Sequence, residues 1–272
     1  MDEALKLMVD DIRKMYTQSK GIDKMHAIII GEKGAGKTSL AKTCPLPIFI
    51  DCWDPGGSTV LKAMIEKGDV VVDNRWEKAS PSEPLVDVWE RTYNERGRAG
   101  FFGMFGTYIL DSTTTFGQAL TWQLMKKEGR SLPDMHTKLD EKKQGMRIQD
   151  WGGYLNFFTM ITRSMGALPC NTLLLGHVGR DVDENTMQYL RSIMLPGSSK
   201  NYVPINMPEM YVLKTRQSAS GVQRVLLTEN DGEYLATTRM GGEGKLKKEE
   251  EPNIKAMLRK CGFSCEDKPK LV

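Results

Sequence analysis

Histidine is scarce in this chain, with three residues among 272, widely separated. Cysteine adds five (Cys44, Cys52, Cys170, Cys261, Cys265), an odd number with no CxxC pair. A zinc site needs clustered Cys and His ligands and so has no support, while unpaired thiols point to a reducing, cytoplasmic setting. No apolar run approaches the 18 residues of a membrane helix. The opening MDEALKLMVDDIRK puts acids where a secretory signal carries a basic and then an apolar stretch, so export is not expected. Charge of one sign is lacking too. The 38 Lys and Arg against 35 Asp and Glu leave +3, too little by itself to mark a nucleic-acid or membrane partner. There is no internal repeat and no low-complexity tract.

What is present is alternation. Leu5, Met8, Val9, Ile12, Met15 and Tyr16 fall at spacings of three and four, so residues 1–20 are expected to form an amphipathic helix. Its apolar stripe either packs on its own domain or docks on a neighbouring subunit. The segment MHAIII then reads as a buried strand, followed by a glycine-rich turn and SLAKTC as the start of a helix. Strands are expected at PIFID, DVVVD, TYILD and NTLLLGH, with helices over 58–68, 84–98, 115–128 and 148–166 between them. Such alternation predicts an α/β fold, a mostly parallel sheet sandwiched by helices. From about residue 186 the pattern turns to alternating strands: MYVLKT, QRVLLTE and EYLATTR. The last two flank ENDGE, a hairpin signal because Asp-Gly supplies positive φ. Residues 21–240 thus read as one core and 241–272 as a charged linker (GGEGKLKKEEEPN) with a short helix near 253–260.

The sharpest signal is Gly31-Glu32-Lys33-Gly34-Ala35-Gly36-Lys37-Thr38, a full GxxxxGK[ST] match lying between an expected strand and an expected helix, with Ser39 next. Glycines let backbone N–H groups wrap a β-phosphate, and a helix N-terminus adds partial positive charge. Lys37, expected to be an exposed loop residue, would reach the β/γ-phosphates, and the Thr38 hydroxyl would ligate Mg2+. TYILD delivers Asp111 at the end of an apolar strand, where it would hold the same ion through water. The implied cofactors are ATP and Mg2+.

GEKGAGKTS, FIDCWDPGG, YILDSTTTF, DWGGY and LLLGHV occur in the order seen in phage-encoded RecA-like, AAA-class nucleotide-binding proteins, some grouped with single-strand annealing and recombination proteins. The chain resembles them over about residues 24–240. The resemblance implies an ATPase working with single-stranded DNA, as a homo-oligomer, beside other phage recombination or replication proteins in the host cytoplasm. It also implies that LLLGH lies between the P-loop strand and TYILD. That would give His177 the role of a γ-phosphate sensor, the alternative being a histidine that merely caps a buried strand. Relatives carry a water-orienting Glu near the position of Trp53. Here Asp54 is the nearest substitute and Asp51 the second choice, and a shorter carboxylate would make hydrolysis slow or partner-dependent. Completion of the site by a neighbour's cation has Lys214, Arg216 and Arg239 as candidates, or these are solvated charges.

Between Lys126 and Arg147, seven basic residues (Lys126, Lys127, Arg130, Lys138, Lys142, Lys143, Arg147) stand against four acids, an excess equal to that of the whole chain. This stretch reads as a loop, and Lys138, Lys142, Lys143 and Arg147 are its candidate DNA contacts, against a merely solvated loop. A charge-neutral second candidate, Gly179 to Tyr202, carries Tyr189 and Tyr202 for stacking. Two other function classes stay open: a nucleotide-regulated binding module with little turnover, and a P-loop small-molecule kinase.

Overall fold

A computed structural model describes residues 3–17, 23–130, 145–182, 189–218 and 221–271. In chain order the elements are α1 (Glu3–Thr17), β1 (His26–Gly31), β2 (Ile48–Cys52), α2 (Lys62–Glu66), β3 (Val70–Asp73), α3 (Val86–Arg98), β4 (Thr107–Asp111), α4 (Thr113–Lys127) and α5 (Ile148–Met165). There follow β5 (Asn171–Val182), β6 (Tyr189–Ile193), α6 (Ser199–Ile205), β7 (Glu209–Ser218), β8 (Gly221–Leu227), β9 (Glu249–Glu250) and α7 (Ile254–Cys261). No described helix is long and apolar enough to cross a membrane.

The strands join in one sheet of order β3-β2-β4-β5-β1-β7-β8-β9, with β6 paired to β5. From β3 to β7 every pairing is parallel; β8 and β9 are added antiparallel. β1, β2 and β4 are buried along their whole length, as strands covered on both faces must be. One face packs an aromatic core (Phe49, Trp53, Tyr108, Leu110) under α3, α4 and α5 through Trp89, Tyr93, Phe116 and Phe158. The other face (Ile29, Ile50, Ile109, Leu175) is covered by the segment after the P-loop and by α7 through Leu40, Ala41, Ile254, Met257 and Leu258. The strand bearing His177 lies between the P-loop strand and the Asp111 strand, as the resemblance implied. The mostly parallel sheet with late antiparallel strands is thus the expected fold class.

Several local expectations are corrected. The helix after the P-loop is a six-residue 3-10 segment, Thr38–Thr43, not an α-helix. Pro45 and Pro47 explain its length: a proline continues no helix, and the residue before one is held extended, as Cys44 is at ψ 155°. The 223–239 hairpin does not form. Gly232 does take φ +92°, and the Asp231 carboxylate accepts from the amides of Glu233 and Tyr234. Beyond that turn, however, the chain makes only isolated bridges, Tyr234 with Arg191 and Thr237 with Met210. The open edge of β8 goes instead to β9, so 241–252, expected as a linker, contributes a strand and the buried Leu246. In α1 the apolar residues are exposed, Ile12 at 66% and Met15 at 72%, so the stripe does not pack on its own domain.

Candidate nucleotide-binding site

Glycine shapes the loop leaving β1. Gly34 and Gly36 sit at φ +79° and +101°, conformations that strain any side chain. Gly31 is required for space, because a Cβ there would lie 2.9 Å from the Leu213 carbonyl of β7. Lys37 is not exposed as expected. It is buried, and its ammonium donates to the carbonyls of Gly31 at 2.9 Å and Glu32 at 3.2 Å. Burial lowers its pKa, opposed by the charges of Asp111, Asp54 and Glu32.

The loop forms one wall of a cleft of about 620 Å³, a size suited to a small-molecule ligand, lined from Lys33 to Ser39 except at Ala35. Asp54, Asp111, Thr115, His177 and Arg224 enter it from other elements. The Thr38 hydroxyl donates to Asp111 Oδ2 at 2.5 Å. Burial pushes the Asp111 carboxyl up to about 6, Thr38 and Lys37 opposing the rise and Asp54 adding to it. A hydroxyl beside two carboxylates is an all-oxygen set that suits magnesium, and a cation there would relieve the buried charge. Among the described residues no cluster of three His, Cys, Asp or Glu forms a metal cage.

Asp54 is held in place. Its Oδ1 accepts from Ser112 Oγ at 2.7 Å and Thr115 Oγ1 at 2.6 Å, both at the start of α4, where Ser112 is the N-cap. Its amide donates to the Asp111 carbonyl at 3.2 Å. Asp51, the second choice for orienting water, is excluded. Its side chain turns to the aromatic face, fully buried, and accepts from Trp76, Trp89, Tyr108 and Arg96. The pleat explains the split: along β2, Phe49, Asp51 and Trp53 share one face, and Cys52 takes the other.

His177 pairs in parallel register with Gly31, which carries it to the carboxyl edge beside the loop. Its amide donates to Thr114 Oγ1 at 3.0 Å, and its ring Nδ1 is buried without a partner. Burial and then the charge of Lys37 lower its pKa, so the ring is neutral at physiological pH. The five expected functional positions, Lys37, Thr38, Asp54, Asp111 and His177, meet in one cleft.

No protein-family model matches the chain. No curated protein matches it either. Among solved structures, one that is similar is the crystal structure of a KaiC-like protein from the hyperthermophilic archaeon Pyrococcus horikoshii. It is 11% identical, with 78% of this chain and 82% of that one covered and a TM-score of 0.38.

Sequence reasoning missed several residues of the cleft, among them Thr115, which clamps Asp54, and Arg224. Arg224, on β8, reaches across the P-loop: its Nε donates to the Ala35 carbonyl at 2.9 Å, and its side chain lies against Gly36. No sequence signal marks it, because the contact depends on β8 folding back along β7, which borders β1. Arg224→Ala is expected to weaken nucleotide affinity on the order of tenfold, since hydrogen bonds to charged groups are worth about 1.5–3 kcal/mol when well shielded and less at an exposed site. Titration with a fluorescent ATP analogue checks this, and unchanged affinity would reduce Arg224 to a brace for the loop.

Two of the three late-strand cations are engaged elsewhere in their own chain. Lys214 pairs with Asp231 at 2.7 Å and Arg216 with Glu249, while Arg239 lies at the far edge of the sheet beside Met25 and His26. The basic stretch is also redistributed. Lys126 donates to the Ser82 carbonyl, Lys127 pairs with Asp87, and Arg130 is buried in a two-pronged contact with Asp150. Arg147 is exposed at the start of α5, and Lys138, Lys142 and Lys143 lie outside the described residues.

Proposed function

We propose that this chain is a magnesium-dependent ATPase of RecA-like type that acts on single-stranded DNA in phage recombination, annealing or replication, as a homo-oligomer. The observation that carries the ATPase reading is the convergence of Lys37, Thr38, Asp54, Asp111 and His177, from four segments far apart in sequence, on one cleft at the carboxyl edge of a parallel sheet. Open α/β sheets bind ligands at that edge. The loop amides from Gly34 to Ser39 receive the phosphates, and Lys37 exchanges its two carbonyl partners for phosphate oxygens. Thr38 and Asp111 would hold magnesium, which when bound offsets phosphate charge. Asp54, clamped by Ser112 and Thr115, accepts a proton of the attacking water and orients it. His177, neutral and with an open nitrogen, hydrogen-bonds at the γ-phosphate end.

A second reading, a module that holds ATP and hardly turns it over, is favoured by the length of Asp54, one methylene short of the glutamate in the proteins the chain resembles. Turnover measured with and without single-stranded DNA separates the two: stimulation supports the ATPase, and absence of turnover in both supports the module. Lys37→Ala is expected to lower turnover about 100-fold or more, the effect of deleting one strong donor to developing charge. The variant should keep its far-ultraviolet circular dichroism. Unchanged nucleotide affinity would remove this cleft as the ATP site.

A further inference from the structure

Beside the nucleotide cleft lies a second cavity, of about 460 Å³, between α4, α5 and the segment Met194–Pro196. Its walls are aromatic. Trp122 is half-buried, Trp151 is 37% exposed, and Tyr154 packs its ring 5.8 Å from the Trp151 ring. Gln118 and Thr121 add neutral polar groups, and among the described residues no charged side chain lines the cavity. Tyr154 is fully buried, yet its hydroxyl has no hydrogen-bond partner and lies against Gly117, which also lines the cavity. A buried hydroxyl without a protein partner is unfavourable, and a small shift would turn it to a water or ligand in the cavity. One hydrogen bond links the cavity to the nucleotide cleft: Thr114, which lines the cavity, accepts at its hydroxyl from the amide of His177, which lines the cleft.

A third cavity, of about 310 Å³, shares Met194 and Leu195 with the aromatic one. Among the described residues of its lining the charged ones, Arg180 and Lys200, are both basic. An aromatic chamber beside a cationic one matches a polymer with planar heteroaromatic groups on an anionic backbone. We infer that these two cavities hold a single nucleic-acid strand, its bases stacking on Trp122 and Trp151 and its phosphates meeting Arg180 and Lys200. The inference rests on the reading that single-stranded DNA is a partner, and it moves the contact from the 138–147 stretch to this pair of cavities. Base edges reach Gln118 and Thr121, groups that serve any base, so recognition is sequence-tolerant. The Thr114–His177 bond gives the strand a route to the γ-phosphate end of the cleft.

The test uses the full chain, oligothymidylate, and tryptophan emission read in parallel with the anisotropy of a labelled oligonucleotide, with and without Mg-ATP. Trp53, Trp76 and Trp89 are 3%, 1% and 0% exposed, so a change in emission on binding arises at Trp122 and Trp151. Emission should fall. Trp151→Ala should weaken binding roughly 5- to 150-fold, the range for losing one stacked base, with the salt slope unchanged. Arg180→Ala combined with Lys200→Ala should lower that slope by about 1.4, or about 0.7 per phosphate contact, with far-ultraviolet circular dichroism confirming that the double variant is folded. Binding by anisotropy with unchanged emission and full affinity in both variants would overturn this site and leave the DNA reading standing, with Lys138, Lys142 and Lys143 as the next residues to neutralise. No binding at any salt or nucleotide state would overturn both. Quenching by an acidic aromatic peptide but not by oligothymidylate would assign the cavities to a protein partner and overturn the inference.

Discussion

Asp54→Asn is expected to bind nucleotide as tightly as the natural protein and to lose most of its turnover. The substitution keeps the size of the side chain and an oxygen able to accept from Ser112 and Thr115, so the clamp persists. What it removes is the charge that draws a proton from the attacking water. Positioned general bases contribute about 100- to 10,000-fold, and a loss in that range is the expected result of a steady-state phosphate-release assay. Substrate affinity, measured separately, should change little. Equal turnover in the two proteins would place the water-orienting group outside this chain. It would not return the role to Asp51, because that carboxylate is buried on the opposite face with four donors around it.

The same four donors predict the largest effect on stability. Asp51→Ala would leave two indole N–H groups, the Tyr108 hydroxyl and the Arg96 guanidinium without their common acceptor in the aromatic core. Arg96 would keep Asp73, which it contacts at 2.6 Å, but would lose half of its neutralisation. Removing one partner of a buried ion pair typically costs about 3–5 kcal/mol, because the remaining charge stays desolvated. For a chain of this size that lowers the melting temperature by roughly 6–20 °C. Urea unfolding of Asp51→Ala beside the natural protein measures the difference, and a loss below about 1 kcal/mol would show that water replaces the carboxylate. In the folded fraction, nucleotide affinity should be retained. A variant that lost affinity without losing stability would tie Asp51 to the cleft after all.

These two aspartates, three residues apart, show where local pattern stops being informative. Both follow an apolar strand and precede a glycine turn, so either was a candidate base. The decision lies in the pleat: alternate residues of β2 point to opposite faces, and only the packing of α3 and β4 makes one of those faces an aromatic cage. Arg224 illustrates the same limit from the other side. Its strand was legible, but its neighbour across the P-loop was not, because strand pairing is a contact between segments far apart in the chain. The failed 223–239 hairpin is similar. Its turn chemistry is present, yet the edge of β8 is claimed by β9, a competition that no local window contains.

The sequence by itself determined what depends on backbone chemistry and short-range periodicity. The glycines and Lys37-Thr38 specify a phosphate loop because positive φ and close backbone approach are properties of those residues. Buried strands were legible as apolar runs, and the alternation of strands and helices implied a parallel sheet. Only the tertiary structure decided which side chains share a space. It buried Lys37 against its own loop, tied Lys126, Lys127 and Arg130 to partners, and brought Trp122, Trp151 and Tyr154 to one cavity beside Arg180 and Lys200. The physical reason is common to all of these. Burial, desolvation and pairing are set by the surroundings in three dimensions, and those are assembled by long-range strand order rather than by neighbours in sequence.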